Sequence, residues 1–315
     1  MKAAIINQFG EADVLEMVEI NKPVINEDKV LIKVMAVGIN PVDTKVRAGS
    51  SGMSKRIKFP AILGWDVSGV IESVGKNVSE FVIGDAVFGC VGFPGLGNAY
   101  AEFTISDPKL LAKKPVNISF EEAAAIPIAG LTAYQAINEI IKITSGQKIL
   151  IQAAAGGVGH LAVQLAKING AFVIGTASEK NEKFLSSLGV DKFINYKKEN
   201  FEKIVNNVDA VIDAMGGDVL YRSISCTRRG GIVVCLPSST KDDPKAIELA
   251  KEKGVKLLWP MMYADGDQMN IIAHLLQQKK LKVVIDKIFT FDQIVWAHKA
   301  VETHNTKGKV VVRIA

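Results

Sequence analysis

The run Ile149-Leu150-Ile151-Gln152-Ala153-Ala154-Ala155-Gly156-Gly157-Val158-Gly159 passes from strongly apolar residues into the smallest side chains in the alphabet. Set against G-x-G-x-x-G, Ala154 takes the first glycine's place, Gly156 and Gly159 match the other two, and Gly157 and Val158 lie between them. Small residues here let the backbone approach a pyrophosphate, whose charge is favoured by the free N–H groups and dipole at the start of a helix, and the last glycine permits close helix–strand packing. The chemistry implied is dinucleotide binding, provided that the turn follows a strand and opens a helix. An ordinary small-residue strand–helix turn is the bland alternative.

A second cluster bears on which dinucleotide. An NAD-preferring site places Asp or Glu about 20 residues past the glycines, on the ribose 2′-hydroxyl. Here that stretch reads Gly175-Thr176-Ala177-Ser178-Glu179-Lys180, and Tyr196 ends the next apolar run. The hydroxyls of Thr176, Ser178 and Tyr196 and the cation of Lys180 suit a 2′-phosphate, so the expected cofactor is NADP(H). Glu179 is discordant, because a rotated loop would aim it at a 2′-hydroxyl, and Lys180 read alone is also an ordinary solvated lysine.

The elements that must hold these residues follow from the rhythm of the chain. From Ser119 onward, apolar strands alternate with helices. Ser119 with Glu121 and Glu122 caps a short helix, and Gly130–Ile143 reads as an amphipathic helix. Strands are expected at 148–153, 171–176, 192–195, 209–213, 231–236 and 255–259, with helices at 157–169, 179–188, 199–206, 218–226 and 243–253. Repeated strand–helix units with short loops imply a parallel, doubly wound, six-stranded sheet. The first ~115 residues punctuate as an all-β domain, and the final alternating run Lys309–Ile314 suggests a strand that returns to it. The expected division is 1–118 with 265–315 as a β domain and 119–264 as an inserted nucleotide domain.

The chain has 315 residues, 48% hydrophobic and 23% charged, which suits two folded domains and excludes disordered or low-complexity classes. No apolar run approaches the roughly 20 residues of a membrane span, and the first residues lack a signal peptide, so a cytoplasmic protein is expected. Three cysteines, Cys90, Cys226 and Cys235, build neither a disulfide framework nor a four-cysteine zinc site. The net charge of +5 is dispersed, which disfavours nucleic acid as a partner.

With these features in place, the chain resembles the medium-chain dehydrogenase/reductase superfamily, in its zinc-free quinone oxidoreductase (zeta-crystallin-like) branch. The segments that carry the resemblance are Gly38-Ile39-Asn40-Pro41-Val42-Asp43, Leu63-Gly64-Trp65-Asp66-Val67-Ser68-Gly69-Val70-Ile71, Ala129-Gly130-Leu131-Thr132-Ala133-Tyr134, Ala153–Gly159 and Ile194-Asn195-Tyr196, in the family's order across essentially the whole chain. It implies an α/β fold, a GroES-like β-barrel domain plus a Rossmann domain, with a cofactor cleft where they meet, and NADPH-dependent reduction of quinones or other α,β-unsaturated carbonyls. Carried over by position, Asn40, Asp43 and Thr132 lie near the nicotinamide, Ala154–Gly159 at the pyrophosphate, Ser178, Lys180 and Tyr196 at the adenosine phosphate, and Leu236 and Pro237 beside the nicotinamide ribose. Zinc-dependent relatives present a cysteine near the place of Asn40 and Gly-His-Glu where this chain has Gly64-Trp65-Asp66, so no catalytic metal is expected. Lys45 stands where many quinone reductases of the branch carry an aromatic residue and would offer a donor or charge to substrate.

Without a metal, an enone or quinone is an easier substrate than a saturated alcohol, because hydride can add to an electrophilic carbon while donors hold the developing enolate or hydroquinone oxygen. Asn40 would orient cofactor or substrate through its amide, or else close the Gly38–Asp43 turn. Thr132 would hydrogen-bond near the nicotinamide or satisfy its own helix. Asp43 could instead bind Lys45, Arg47 or the barrel backbone. A non-catalytic NADPH-binding sensor or structural protein, and less readily a zinc-type alcohol dehydrogenase, are the competing classes. The apolar stretch Val255–Trp259, at the end of the sheet, invites pairing with its copy, so a homodimer is expected.

Overall fold

The computed structural model describes all 315 residues, which fall into two compact units, Met1–Leu131 with Tyr263–Ala315, and Thr132–Met262. In the second unit six strands form one sheet in the order Lys192–Asn195, Phe172–Ala177, Lys148–Ile151, Val208–Asp213, Thr227–Cys235 and Lys256–Leu258. Every neighbouring pair is parallel. In chain order this is third, second, first, fourth, fifth, sixth, the Rossmann arrangement, and its winding reverses between Lys148–Ile151 and Val208–Asp213.

The apolar runs become central strands because helices cover the sheet and leave little room for polar side chains. Leu150, Ile174, Ile194, Val211, Leu220, Ile224 and Val233 belong to one buried core. The helix Gly159–Ile168 opens directly after the glycine turn, so the context that the motif requires is present. Lys256–Leu258 pairs only with Thr227–Cys235 and leaves its other edge open.

The stretch read as one amphipathic helix over Gly130–Ile143 is built differently. A helix runs Pro127–Tyr134 and continues in the wider π winding over Gln135–Ile141, ended by Lys142 in the left-handed region at φ 55°. Pro127 can open a helix because the first turn needs no N–H from it. Ile126, Ala129, Leu131 and Ala133 are all enclosed, so the segment has no solvated stripe from Pro127 to Ala133.

In the first unit, strands Leu15–Glu19, Lys2–Ile6 and Ala61–Ile62 form a small sheet. A larger sheet runs Ile285–Thr290, Lys309–Arg313, Val30–Ile39, Asp66–Val74, Ala86–Cys90 and Leu111–Lys113, and Phe103–Ser106 also pairs with Val30–Ile39. The last strand of the chain thus lies antiparallel to the end of Val30–Ile39, with Val310 opposite Ile39 and Arg313 opposite Ala36. At that end the chain enters the helix Pro41–Arg47, whose cap is Asn40 and whose first residue is proline. A second short helix, Phe120–Ala124, is capped by Ser119, which accepts from the Glu122 N–H at 3.1 Å while the Glu122 carboxylate accepts from the Ser119 N–H at 2.8 Å. It lies against Val30–Ile39 so closely that a Cβ on Gly38 would stand 2.3 Å from the Ala124 carbonyl oxygen.

Candidate functional site

In the second unit the residues singled out for cofactor binding gather at the carboxyl ends of the parallel strands. Gly156, Gly157 and Val158 are half-exposed at the mouth of the helix Gly159–Ile168, and the N–H groups of Gly157 and Val158 have no acceptor in the chain. A Cβ on Gly156 would meet only the Ala153 carbonyl oxygen at 3.2 Å, whereas one on Gly159 would stand 2.3 Å from that same oxygen. Gly156 therefore keeps the turn open to a ligand, and Gly159 allows the helix to sit on it. Ala154 is fully buried beneath the turn. Unsatisfied amides at a helix start form an anion site, so the turn fits a dinucleotide pyrophosphate.

The adenosine end is also assembled. Parallel register sets Ala177 beside Asn195, so Ser178 and Tyr196, the next residue of each strand, leave the sheet side by side. Ser178 is half-buried, while Lys180 and Tyr196 are exposed. Glu179, the discordant carboxylate, pairs with Lys198 at 2.8 Å, both side chains being well exposed. Leu236 and Pro237 follow Cys235 at the same sheet edge, with the Leu236 N–H on the Asp213 carbonyl at 2.8 Å.

Thr176 serves a different end from the one its position suggests. Its hydroxyl points inward, donating to Gln152 Oε1 at 2.6 Å and accepting from the Ala153 N–H at 3.3 Å. Gln152 Nε2 donates to Ser223 Oγ at 3.2 Å, and Ser223 donates to Asp213 Oδ2 at 2.8 Å. Asp213 Oδ1 accepts from the N–H groups of Met215 and Gly216 at 2.8 and 2.7 Å. This buried chain ties the ends of three adjacent strands together on both sides of the winding reversal, and a fully satisfied network of that kind holds one geometry. Of its members only Thr176 stood out in the sequence, because the others lie inside apolar runs or a helix.

In the first unit, Asn40 is enclosed within a polar cluster. Its Nδ2 donates to Asp66 Oδ2 at 2.8 Å, and its Oδ1 accepts from the Lys309 ammonium. The backbone N–H of Asn40 donates to Asp43 Oδ2 at 2.7 Å, so Asp43 closes the turn onto the barrel backbone. Lys309, itself buried, also donates to the Ile39 carbonyl at 3.2 Å and stands 3.6 Å from Asp66. Asp66 accepts from the Ile128 N–H at 2.8 Å as well. Burial pushes the Asp66 carboxyl up and the Lys309 ammonium down, and their mutual attraction opposes both shifts. Asn40, Ile128 and Lys309 all donate toward Asp66 and so favour its carboxylate form against the cost of burial. Asp43 is raised to about 7, first by burial and then by the Asp66 charge.

Lys45 is exposed on the helix Pro41–Arg47, and Thr132 is half-buried within the helix Pro127–Tyr134 rather than at its start. Trp65 is enclosed, with its indole N–H on the Gly95 carbonyl at 2.7 Å. No group of three or more His, Cys, Asp or Glu side chains is placed to hold a metal ion. Lys309 was missed in the sequence. Its signal was a lysine opening the otherwise apolar strand Lys309–Arg313, which reads equally as a solvated strand end.

Beside this cluster, His298 Nε2 lies 3.1 Å from the Tyr100 hydroxyl, with the two rings edge to face. Asp43 Oδ1, Arg47 Nη1 and His298 Nδ1 are buried without a hydrogen-bond partner. The ring's one hydrogen-bonded contact is therefore at Nε2. Burial, and then the Arg47 charge, push the imidazole down to about 3.

Residues 26–116 match the alcohol dehydrogenase GroES-like domain, and residues 188–312 match the family described as zinc-binding dehydrogenase. A 2-methylene-furan-3-one reductase of Solanum lycopersicum is 36% identical over 322 residues, covering 99% of this chain and 79% of that protein. The chain belongs to the medium-chain dehydrogenase/reductase superfamily, in its quinone oxidoreductase branch. A chloroplastic NADPH-dependent alkenal/one oxidoreductase of Arabidopsis thaliana is 35% identical, with 99% of this chain and 79% of that protein covered. The solved quinone oxidoreductase of Coxiella burnetii superposes with a TM-score of 0.94 at 39% identity, covering 100% of this chain and 99% of that one. The resemblance read from the sequence is thus the family, and the two units carry its GroES-like and Rossmann folds.

Two outcomes are expected from the buried charges. Lys309→Met strands the Asp66 carboxylate and costs about 3–5 kcal/mol; in urea unfolding, Lys309→Met/Asp66→Asn recovers part of that loss, and a double variant no more stable than the single one contradicts the pairing. His298 has a folded value below that of a free imidazole, so its contribution to stability is complete above about pH 6.5 and is lost as the pH falls toward 3. The stability advantage of the wild type over His298→Gln therefore shrinks between pH 6.5 and 4, and a constant difference across that range argues for a charged histidine.

Proposed function

We propose that this protein is an NADPH-dependent oxidoreductase that reduces quinones or other α,β-unsaturated carbonyls without a metal. The observation that carries this reading is that the proteins it resembles over nearly its whole length are named for one chemical class: a 2-methylene-furan-3-one reductase, an alkenal/one oxidoreductase and a quinone oxidoreductase. All three names describe carbonyls conjugated to a C=C bond.

When bound, NADPH supplies the hydride. The free amides of Gly157 and Val158 hold the pyrophosphate, with Ala154, Gly156 and Gly159 shaping the turn. Ser178, Lys180 and Tyr196 hold the 2′-phosphate, for which hydroxyls and a free ammonium are the matching donors. The Glu179–Lys198 pair supports the same choice, since a carboxylate already paired is less available to a ribose hydroxyl. Thr176 supports the turn from beneath, and Leu236 and Pro237 border the nicotinamide ribose. Asn40 and Thr132 orient the nicotinamide and substrate, and Lys45 offers charge or a donor to the substrate. Asn40 is well suited to positioning because Asp66 and Lys309 fix its amide before any ligand arrives. Trp65 contributes an apolar wall at the position where zinc-dependent members of the superfamily carry a ligand.

We further propose a cytoplasmic setting, consistent with Cys90, Cys226 and Cys235 all being buried free thiols; no helix is long and apolar enough to cross a membrane. The open edge of Lys256–Leu258 supports a homodimer paired edge to edge.

The cofactor and acceptor reading is tested by steady-state oxidation of NADPH and NADH with 1,4-benzoquinone, 9,10-phenanthrenequinone and short enones. NADPH is expected to be preferred, and Lys180→Ala to raise its KM about tenfold while leaving that for NADH little changed. Tight NADPH binding with no acceptor reduced would instead support a binding module. Sedimentation at micromolar concentration is expected to show a dimer, and a species of only 33.9 kDa overturns the edge pairing.

A further inference from the structure

The first unit carries a partly open cavity of about 200 Å³ whose walls include Val46, Met53, Ile57, Trp65 and Leu96, with Arg56 among them. An apolar cavity of roughly 150 Å³ accommodates benzene, so this one admits a single ring or a short branched chain. Trp65 is a rigid wall: its only polar atom is spent on the Gly95 carbonyl, and the Phe93 ring meets it edge-on at 5.7 Å. The other apolar walls offer nothing for a polar substituent.

Arg56 is the exception. It is the only charged side chain on the lining, and its guanidinium makes no ion pair or hydrogen bond within the chain. It ends the short helical turn Gly52–Arg56, which is fixed at its start by Ser51 accepting from the Met53 N–H at 3.2 Å and within by Ser54 donating to the Val46 carbonyl at 3.2 Å. The turn that carries Arg56 is thus tied to the helix that Asn40 caps, and the guanidinium extends from it unpaired and exposed. Lys55 and Lys58 nearby are exposed, as Arg56 is, and carry the same sign. In the chain, Trp65 directly precedes Asp66, and Val46 belongs to the helix that follows Asn40.

We propose that this cavity selects conjugated carbonyl substrates that bear a carboxylate, the apolar body lying against Trp65, Val46 and Ile57 and the anion pairing with Arg56. A guanidinium presents two parallel N–H donors that match a carboxylate, which a lysine cannot reproduce. This inference rests on the reductase reading and specifies its substrate class.

The test compares 3-benzoylacrylate with its methyl ester, which share one enone and differ in charge. In the wild type, Arg56→Lys and Arg56→Met, kcat/KM is measured for both with NADPH. The acid-to-ester ratio is expected to fall about tenfold in Arg56→Met and by less in Arg56→Lys, and taking the ratio cancels the intrinsic reactivity of each compound and any general damage to the enzyme. A ratio unchanged in Arg56→Met overturns the proposal. If the wild type reduces neither these compounds nor the quinones named above, the reductase reading fails; where it reduces neither of these two, the site is judged by calorimetric titration with the saturated acid 3-benzoylpropionate. Binding weakened about tenfold by Arg56→Met upholds the anion site, and equal binding by both proteins, or none by the wild type, overturns it.

Discussion

A buried ammonium next to a buried carboxylate holds the first unit's polar cluster in its present form. Lys309 reaches Asn40, the Ile39 carbonyl and Asp66 at once. Removing either charge from water carries a penalty of several kcal/mol, repaid only when both are present and hydrogen-bonded. The pairing therefore requires the last strand of the chain to lie beside the end of Val30–Ile39 in the observed register. That register places the lysine next to the residue that caps the Pro41–Arg47 helix. From it follow the fixed Asn40 amide, the closed turn at Asp43 and the position of that helix, whose Val46 in turn lines the apolar cavity.

The second unit solves a similar problem with a chain of hydrogen bonds that ends on a single acidic side chain, Asp213. Its sheet must end in a turn of nearly bare backbone, which has little side-chain packing to stabilise it. The hydrogen-bonded chain from Thr176 through Gln152 and Ser223 to Asp213 supplies that rigidity from beneath. The turn above it can then leave the amides of Gly157 and Val158 unpaired. One buried network fixes strand ends so that a few backbone donors remain free for a charged ligand.

Electrostatics divide the titratable groups by role. His298 is driven neutral by burial and serves a tyrosine, whereas for Asp66 the donors Asn40, Ile128 and Lys309 oppose the upward push of burial. Asp43 lies between these cases, raised to about 7 because burial and a like charge act in the same direction. None of these environments follows from the residue type alone.

The period of the apolar runs, the glycine turn and the order of strands and helices were all legible in the sequence, because each is a local consequence of side-chain size and spacing. So were the hydroxyls and lysine after the second strand of the parallel sheet, and the replacement of a metal-ligating histidine position by Trp65. The helix was legible, but its early start at Pro127 and the π winding after Tyr134 were not, since the stretch from Pro127 to Ala133 is enclosed and shows no stripe, and the wider winding has no side-chain pattern of its own. Nor were the partners of Lys309 and Asp66, or the place of Arg56 on a cavity wall. A lysine that begins an apolar strand and an arginine that ends a short turn look like solvated surface until the tertiary structure brings distant segments together. One then becomes a neutralised core charge, while the other remains an exposed, unpaired cation on the lining of an apolar cavity. Sequence alone determined the backbone pattern and the class of cofactor it suits; only the folded chain decided which charges are satisfied from within and which remain free to bind, because that depends on residues far apart in the chain meeting in space.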